Sequence, residues 1–172
     1  MKPMHVLEHS AVRVRRGVIY LTTLFQTLAY PGRRQLLRDV VALGRALPHL
    51  LDQPLPVALE QLTPPPVASD IDPEQIREIV DATTSLGLGR PLGMCLRRSL
   101  LRHYFLRQAG IPTVVNFGAR RQNHSVGGHA WLTFNGKPYH ERPEHYRGYT
   151  LLFTYPDQDK QRQEGLASAG LG

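Results

Sequence analysis

Cysteine is almost missing from this chain: there is one, Cys95, in 172 residues. A single thiol excludes an intramolecular disulfide and any metal site built from several cysteines. It suits a reducing compartment, where a thiol stays free. Long apolar runs are missing too. The longest, residues 17–30, is interrupted by Thr22, Thr23, Gln26 and Thr27. It falls short of the about 20 apolar residues a membrane-spanning helix needs. The amino terminus carries His5, Glu8 and His9 and lacks an apolar stretch with a cleavage site, so no secretion signal is expected. Internal repeats and nucleic-acid-binding motifs are also absent. These absences together predict a soluble, cytoplasmic protein without a nucleic-acid partner.

The length predicts one domain, with room for an N-terminal appendage. A hydrophobic fraction of 41% is enough for a core. The formal charge is +7 and is mostly arginine, in the clusters Arg13-Arg15-Arg16, Arg33-Arg34, Arg97-Arg98-Arg102 and Arg120-Arg121. Such a surface suits an acidic peptide, a nucleic acid or anionic lipid. Arginine on solvated faces is the favoured reading, since no nucleic-acid motif accompanies it. Contact with a membrane surface stays open, but no residue pattern stands behind it.

Residues 1–63 read as a helical N-terminal part. Leu36, Leu37, Val40, Val41, Leu43, Leu47, Leu50 and Leu51 recur at steps of three and four, with arginines between. Pro31-Gly32 separates this helix from the one before it, and Pro48 is expected to kink or end it. Residues 64–71 are a proline-rich linker after Thr63. Residues 72–172 form the second unit. Asp72-Pro73-Glu74-Gln75 is a helix start, with Asp72 as cap and Gln75 completing a capping box. Ile76, Ile79 and Val80 follow as one apolar face.

Glycines at 87, 89 and 93 precede Cys95, where helical spacing resumes. Leu96, Leu100, Leu101, Tyr104 and Phe105 form the predicted buried side, and Arg98, Arg102 and Arg107 the solvated one. Gly110 and Pro112 end that helix. Strands are predicted over 113–117, 129–134, 137–142 (after an Asn135-Gly136 turn) and 149–155, with a loose polar tail from Pro156. Helices, a central helix starting at the cysteine, and an antiparallel sheet make an α+β fold.

A lone thiol at a helix start, followed by a histidine on a strand, is the outline of a papain-like or transglutaminase-like acyl-transfer site. The attacking species is a thiolate, and a helix N-terminus with an imidazole lowers the thiol pKa. Cys95 would be the nucleophile, with free helical N–H groups for an oxyanion. His129 would be the general base and then the acid. Plainer readings stand beside these: a free cysteine is usually buried and inert, and a strand histidine is usually structural. Trp131 belongs to the core or, two positions from His129, walls the site. Gly127 and Gly128 form a turn or leave space beside the thiol.

Several motifs together resemble the transglutaminase-like leader peptidases of lasso-peptide biosynthesis. They are Pro91-Leu92-Gly93-Met94-Cys95-Leu96-Arg97-Arg98-Ser99-Leu100, Gly110-Ile111-Pro112, Phe117-Gly118-Ala119-Arg120, Gly128-His129-Ala130-Trp131-Leu132 and Asn135-Gly136-Lys137-Pro138. The resemblance covers residues 91–142. It implies a papain/transglutaminase-like α+β fold in which 72–172 is the cysteine peptidase domain. It further implies a Cys–His–acid triad that cuts the leader from a ribosomally made precursor peptide.

The partners implied are the precursor with its leader, a separate precursor-recognition protein and a lasso cyclase; no cofactor is implied. The acid of the resemblance falls at Glu141, where the family has the shorter aspartate. An ideal turn at Asn135-Gly136 pairs Phe134 with Lys137, and hence Ala130 with Glu141 and His129 with Arg142. Glu141 then reaches His129 only if the hairpin is bulged near Pro138 or the strand has ended. Asn116, Glu144 and Asp157 are the alternatives.

His124, His129, His140 and His145 lie close in sequence, but their spacing fits no standard zinc motif, so no metal is expected. Two other functions stay open. One is a transamidase or amidase on another peptide that uses the same thiol. The other is a non-catalytic basic binding module with Cys95 in its core.

Overall fold

The computed structural model describes Thr22, Phe25, Thr27 and residues 30–67, 71–122 and 125–157. The Arg13-Arg15-Arg16 cluster, the first histidines, most of the 17–30 run, His124 and the tail beyond Asp157 lie outside the described residues.

Five helices and four strands follow one another in the described residues. Helix α1 (Pro31–Leu50) buries Leu36, Val40, Gly44 and Leu47, a stripe at steps of four, four and three that is the inward face of an amphipathic helix. Pro48 sits inside its last turn, and the helix stops shortly after, at Leu50. Helix α2 (Leu55–Gln61) adds Ala58 and Leu59 to the interior.

Helix α3 (Pro73–Ser85) starts as its sequence dictates. Asp72 has extended dihedrals, Pro73 occupies the first turn, and the Asp72 carboxylate accepts the Glu74 N–H at 2.9 Å. Such a cap contributes about 1 kcal/mol. Ile76, Ile79 and Val80 are buried as predicted.

Helix α4 (Met94–Gln108) runs through the middle of the molecule. Leu100, Leu101 and Leu106 are wholly buried, each contributing about 2 kcal/mol by removal from water. The expected solvated side is where the reading from periodicity fails. Arg102 is 5% exposed, and Asp81 of α3 is 8% exposed. Arg102 Nη2 lies 2.6 Å from Asp81 Oδ1 and 2.6 Å from Oδ2. Arg98 and Arg77 approach the same carboxylate at 3.3 and 3.4 Å. The helix is covered on two sides, and a guanidinium tolerates burial when a carboxylate meets it. Buried His103 bridges to Thr63 and Thr113, each ring nitrogen 3.0 Å from a hydroxyl oxygen. This fastens the residue before the Pro-rich stretch to α4 and to the entry of the sheet.

The strands β1 (Val114–Gln122), β2 (Ser125–Phe134), β3 (Lys137–Pro138) and β4 (Thr150–Tyr155) form one antiparallel sheet in the order β3-β2-β1-β4. Val115 of β1 and Leu132 of β2 join the apolar cluster of the four longer helices. The fold is thus the α+β, papain/transglutaminase-like arrangement expected, with the central helix on an antiparallel sheet. Three strands depart from expectation. β1 and β2 form a longer ladder, from Val114 opposite Thr133 to Gln122 opposite Ser125. β3 is shorter: it pairs Phe134 with Lys137 and Thr133 with Pro138 and goes no further than that pair. Among the described residues, no helix is long and apolar enough to cross a membrane.

Candidate active site

Cys95 is the second residue of α4, after Met94, and Gly93 is the N-cap. The first helical bond runs from the Arg97 N–H to the Gly93 carbonyl at 3.1 Å. The Met94, Cys95 and Leu96 N–H groups are therefore left over by the helix, as at any helix start. This end of α4 lies along β2, on the edge that β3 does not cover. There the Ser99 hydroxyl donates to the Ala130 carbonyl at 2.9 Å, and the Ala130 N–H points at the thiol.

The half-buried Cys95 thiol has its pKa lowered. The hydrogen bond to His129 lowers it most; burial opposes this, and the Ala130 and Leu96 N–H groups add to the lowering. The partner moves the other way. His129 is pushed up to about 9, first by Cys95 and then by Glu141, against the effect of burial. Opposite shifts on touching groups are what a thiolate–imidazolium pair produces.

Glu141 Oε1 lies 3.4 Å from His129 Nε2, with both side chains largely buried. The alignment falls short of a hydrogen bond, so the contact is electrostatic. Burial alone would raise the Glu141 pKa. His129 and His145 together outweigh it, and the carboxylate sits below its ordinary range. The register conflict seen in the sequence resolves because the strand ends. The Tyr139 N–H still donates to Leu132 at 2.9 Å, but His140 then takes φ 48°, a left-handed conformation uncommon outside glycine. That turn lifts Glu141 out of the ladder and leads into the short helix α5 (Pro143–Tyr146). Glu74 of α3 sits 3.7 Å from the His140 ring and helps hold it.

Aromatic rings enclose the histidine. Trp131 lies nearly parallel to it at 5.8 Å, and Tyr149 is tilted over it at 5.1 Å. Tyr146 stacks on Trp131 at 6.0 Å, and Arg120 lies 4.5 Å above the Tyr149 ring. Trp131 is buried as well as walling the site. Gly118, opposite His129 in the ladder, makes room for it: a Cβ there would come within 2.9 Å of the indole. At exposed Gly128, next to His129 in the chain, a Cβ would meet nothing within 4 Å.

The alternative acids lie elsewhere. The Asn116 amide bonds Thr133 Oγ1 at 3.1 Å and also reaches the Val114 and Trp131 carbonyls. Glu144 is exposed, 3.9 Å from Arg142, and Asp157 lies past the end of β4. Among the described residues, no group of three or more His, Cys, Asp or Glu could hold a metal ion. Sequence reasoning missed Ser99, Tyr146, Tyr149 and the contact of His145 with Glu141. The last had a signal, since 141 and 145 are one helical turn apart.

Residues 36–154, more than half of the chain, match the family model of the transglutaminase-like superfamily and include Cys95, His129 and Glu141. No curated protein and no solved structure matches the chain. The extent of the family match means that the chain belongs to the transglutaminase-like superfamily, which generally comprises cysteine peptidases and transglutaminases.

Proposed function

We propose that this protein is a cysteine peptidase that removes the leader from a ribosomally made lasso-type precursor peptide. The observation that carries the catalytic part is the convergence of Cys95, His129 and Glu141 at the start of α4, with shifts that favour a thiolate beside an imidazolium. The motifs across residues 91–142, which resemble lasso leader peptidases, support the substrate class.

The Cys95 thiolate attacks the scissile carbonyl, and the unused Cys95 N–H is a donor for the resulting oxyanion. Collapse breaks the C–N bond as the His129 imidazolium gives its proton to the leaving amine. The leader is then held as a thioester on Cys95. His129, now neutral, takes a proton from water, whose oxygen attacks the thioester. The leader leaves with a free carboxylate, and the thiolate–imidazolium pair is restored. Glu141 stays ionised throughout and stabilises the imidazolium. In this reading a separate recognition protein delivers the leader, and a lasso cyclase uses the freed amine.

The test incubates wild type, Cys95→Ala and His129→Ala with a lasso-type precursor and its recognition protein, and weighs the products. A leader fragment ending in a carboxylic acid, from wild type alone, is the expected result. A product carrying an amine in place of that hydroxyl would make the protein a transamidase. Uncut precursor, with a thiol no more reactive than an ordinary buried one, would leave a binding module.

A further inference from the structure

Glutamate at position 141 has one more methylene than aspartate, and so one more torsion to fix before its carboxylate can face an imidazole. The contact it makes with His129, 3.4 Å and poorly aligned, does not fix it. A second ring does better: His145 Nδ1 lies 3.0 Å from the same Glu141 Oε1. Since the carboxylate can only accept, Nδ1 carries the proton and donates. Geometry makes the pairing local, because α5 places residue 145 one turn after 141. The other charged groups nearby are engaged elsewhere, His140 with Glu74 and Arg142 with Glu144. His145 thus holds this carboxylate from the loop, where it meets the His129 ring of the sheet.

We infer that His145 is a positioning residue that pins the Glu141 carboxylate against His129 and so sustains the Cys95–His129 pair. This rests on the reading of Cys95, His129 and Glu141 as catalytic. His145 itself reaches neither the thiol nor a substrate; it acts through Glu141. Its side chain is 55% exposed, so its removal spares the core.

The experiment follows iodoacetamide alkylation of Cys95 in the full chain from acid to alkaline pH. The variants are His145→Leu, which removes the donor, His145→Asn, which keeps an N–H at the position of Nδ1, and Glu141→Gln. The expected result for His145→Leu is a thiol titrating at higher pH and reacting roughly fivefold more slowly near neutrality. That corresponds to the lower end of what a hydrogen bond to a charged group is worth, reduced for exposure. His145→Asn should restore the wild-type profile. If Glu141→Gln shifts the profile and His145→Leu does not, the inference is overturned and the triad stands. If neither variant shifts it, Glu141 is not the acid and the inference falls with it. A wild-type thiol of ordinary reactivity would overturn the peptidase reading first.

Discussion

Replacing Cys95 by alanine should change the ionisation of a residue it does not replace. His129 is raised from an ordinary value near 6.5 to about 9, with the thiol as the leading cause and Glu141 the second. At about 1.4 kcal/mol per pH unit, that rise is roughly 3 kcal/mol in favour of the imidazolium. Because the thiol leads, Cys95→Ala should remove more of it than Glu141→Gln does. The midpoint should therefore fall in both variants, and further in Cys95→Ala than in Glu141→Gln. Burial still depresses His129 in both variants, so neither change can raise it.

The assay is an NMR titration of the His129 imidazole in wild type and both variants. The pair titrates as a unit, so the wild-type midpoint belongs to the pair as much as to the ring. The sign carries into catalysis. Activity should appear as pH rises through the lowered thiol value and decline as pH passes about 9, when His129 loses the proton that the leaving amine needs. A wild-type His129 midpoint near 6.5 that stays put in Cys95→Ala would refute the ion pair.

Buried His103, held down to about 3 by burial and by Arg107, links stability to acid. Its folded value lies below its unfolded one, so the contribution is complete above about pH 6.5 and is lost as pH falls toward 3. The loss should be ~2 kcal/mol by pH ~5. Urea unfolding of wild type and His103→Gln at both pH values checks this, and equal acid sensitivity would refute it. Asp81→Ala should cost about 3–5 kcal/mol, because Arg102 is left buried beside Arg98 and Arg77. Adding Arg102→Met should recover most of that loss in thermal melts.

The parts of the site legible in the sequence are those whose chemistry is local. A cysteine after Gly93, at the head of an amphipathic segment, implies free N–H groups wherever the helix docks. A histidine two positions before Trp131 on a strand implies a shared face, and the rings stack. Arg102 was illegible for the opposite reason. Arginine at a helical step away from leucines reads as solvated unless a carboxylate is known to arrive, and Asp81 belongs to another helix. Tyr149 was read as the first residue of a strand. It stands over the histidine because β4 begins one residue later, at Thr150.

The short third strand matters more for the site than a trimmed boundary would suggest. Continued in its own register, β3 would set Glu141 opposite Ala130 and Arg142 opposite His129, and would cover the outer edge of β2. That edge is where α4 attaches: the Ser99 hydroxyl takes the Ala130 carbonyl, and the thiol takes its N–H. A strand and the start of a helix cannot both claim one peptide group. Ending the ladder after Pro138 and reversing the backbone at His140 therefore does two things at once. It leaves the Ala130 peptide to the cysteine helix, and it swings Glu141 out of the ladder toward His129. An Asn135-Gly136 hairpin of any length satisfies the turn chemistry, so the turn alone cannot encode this choice. It is made where α4, β2 and the 139–146 segment compete for the same edge.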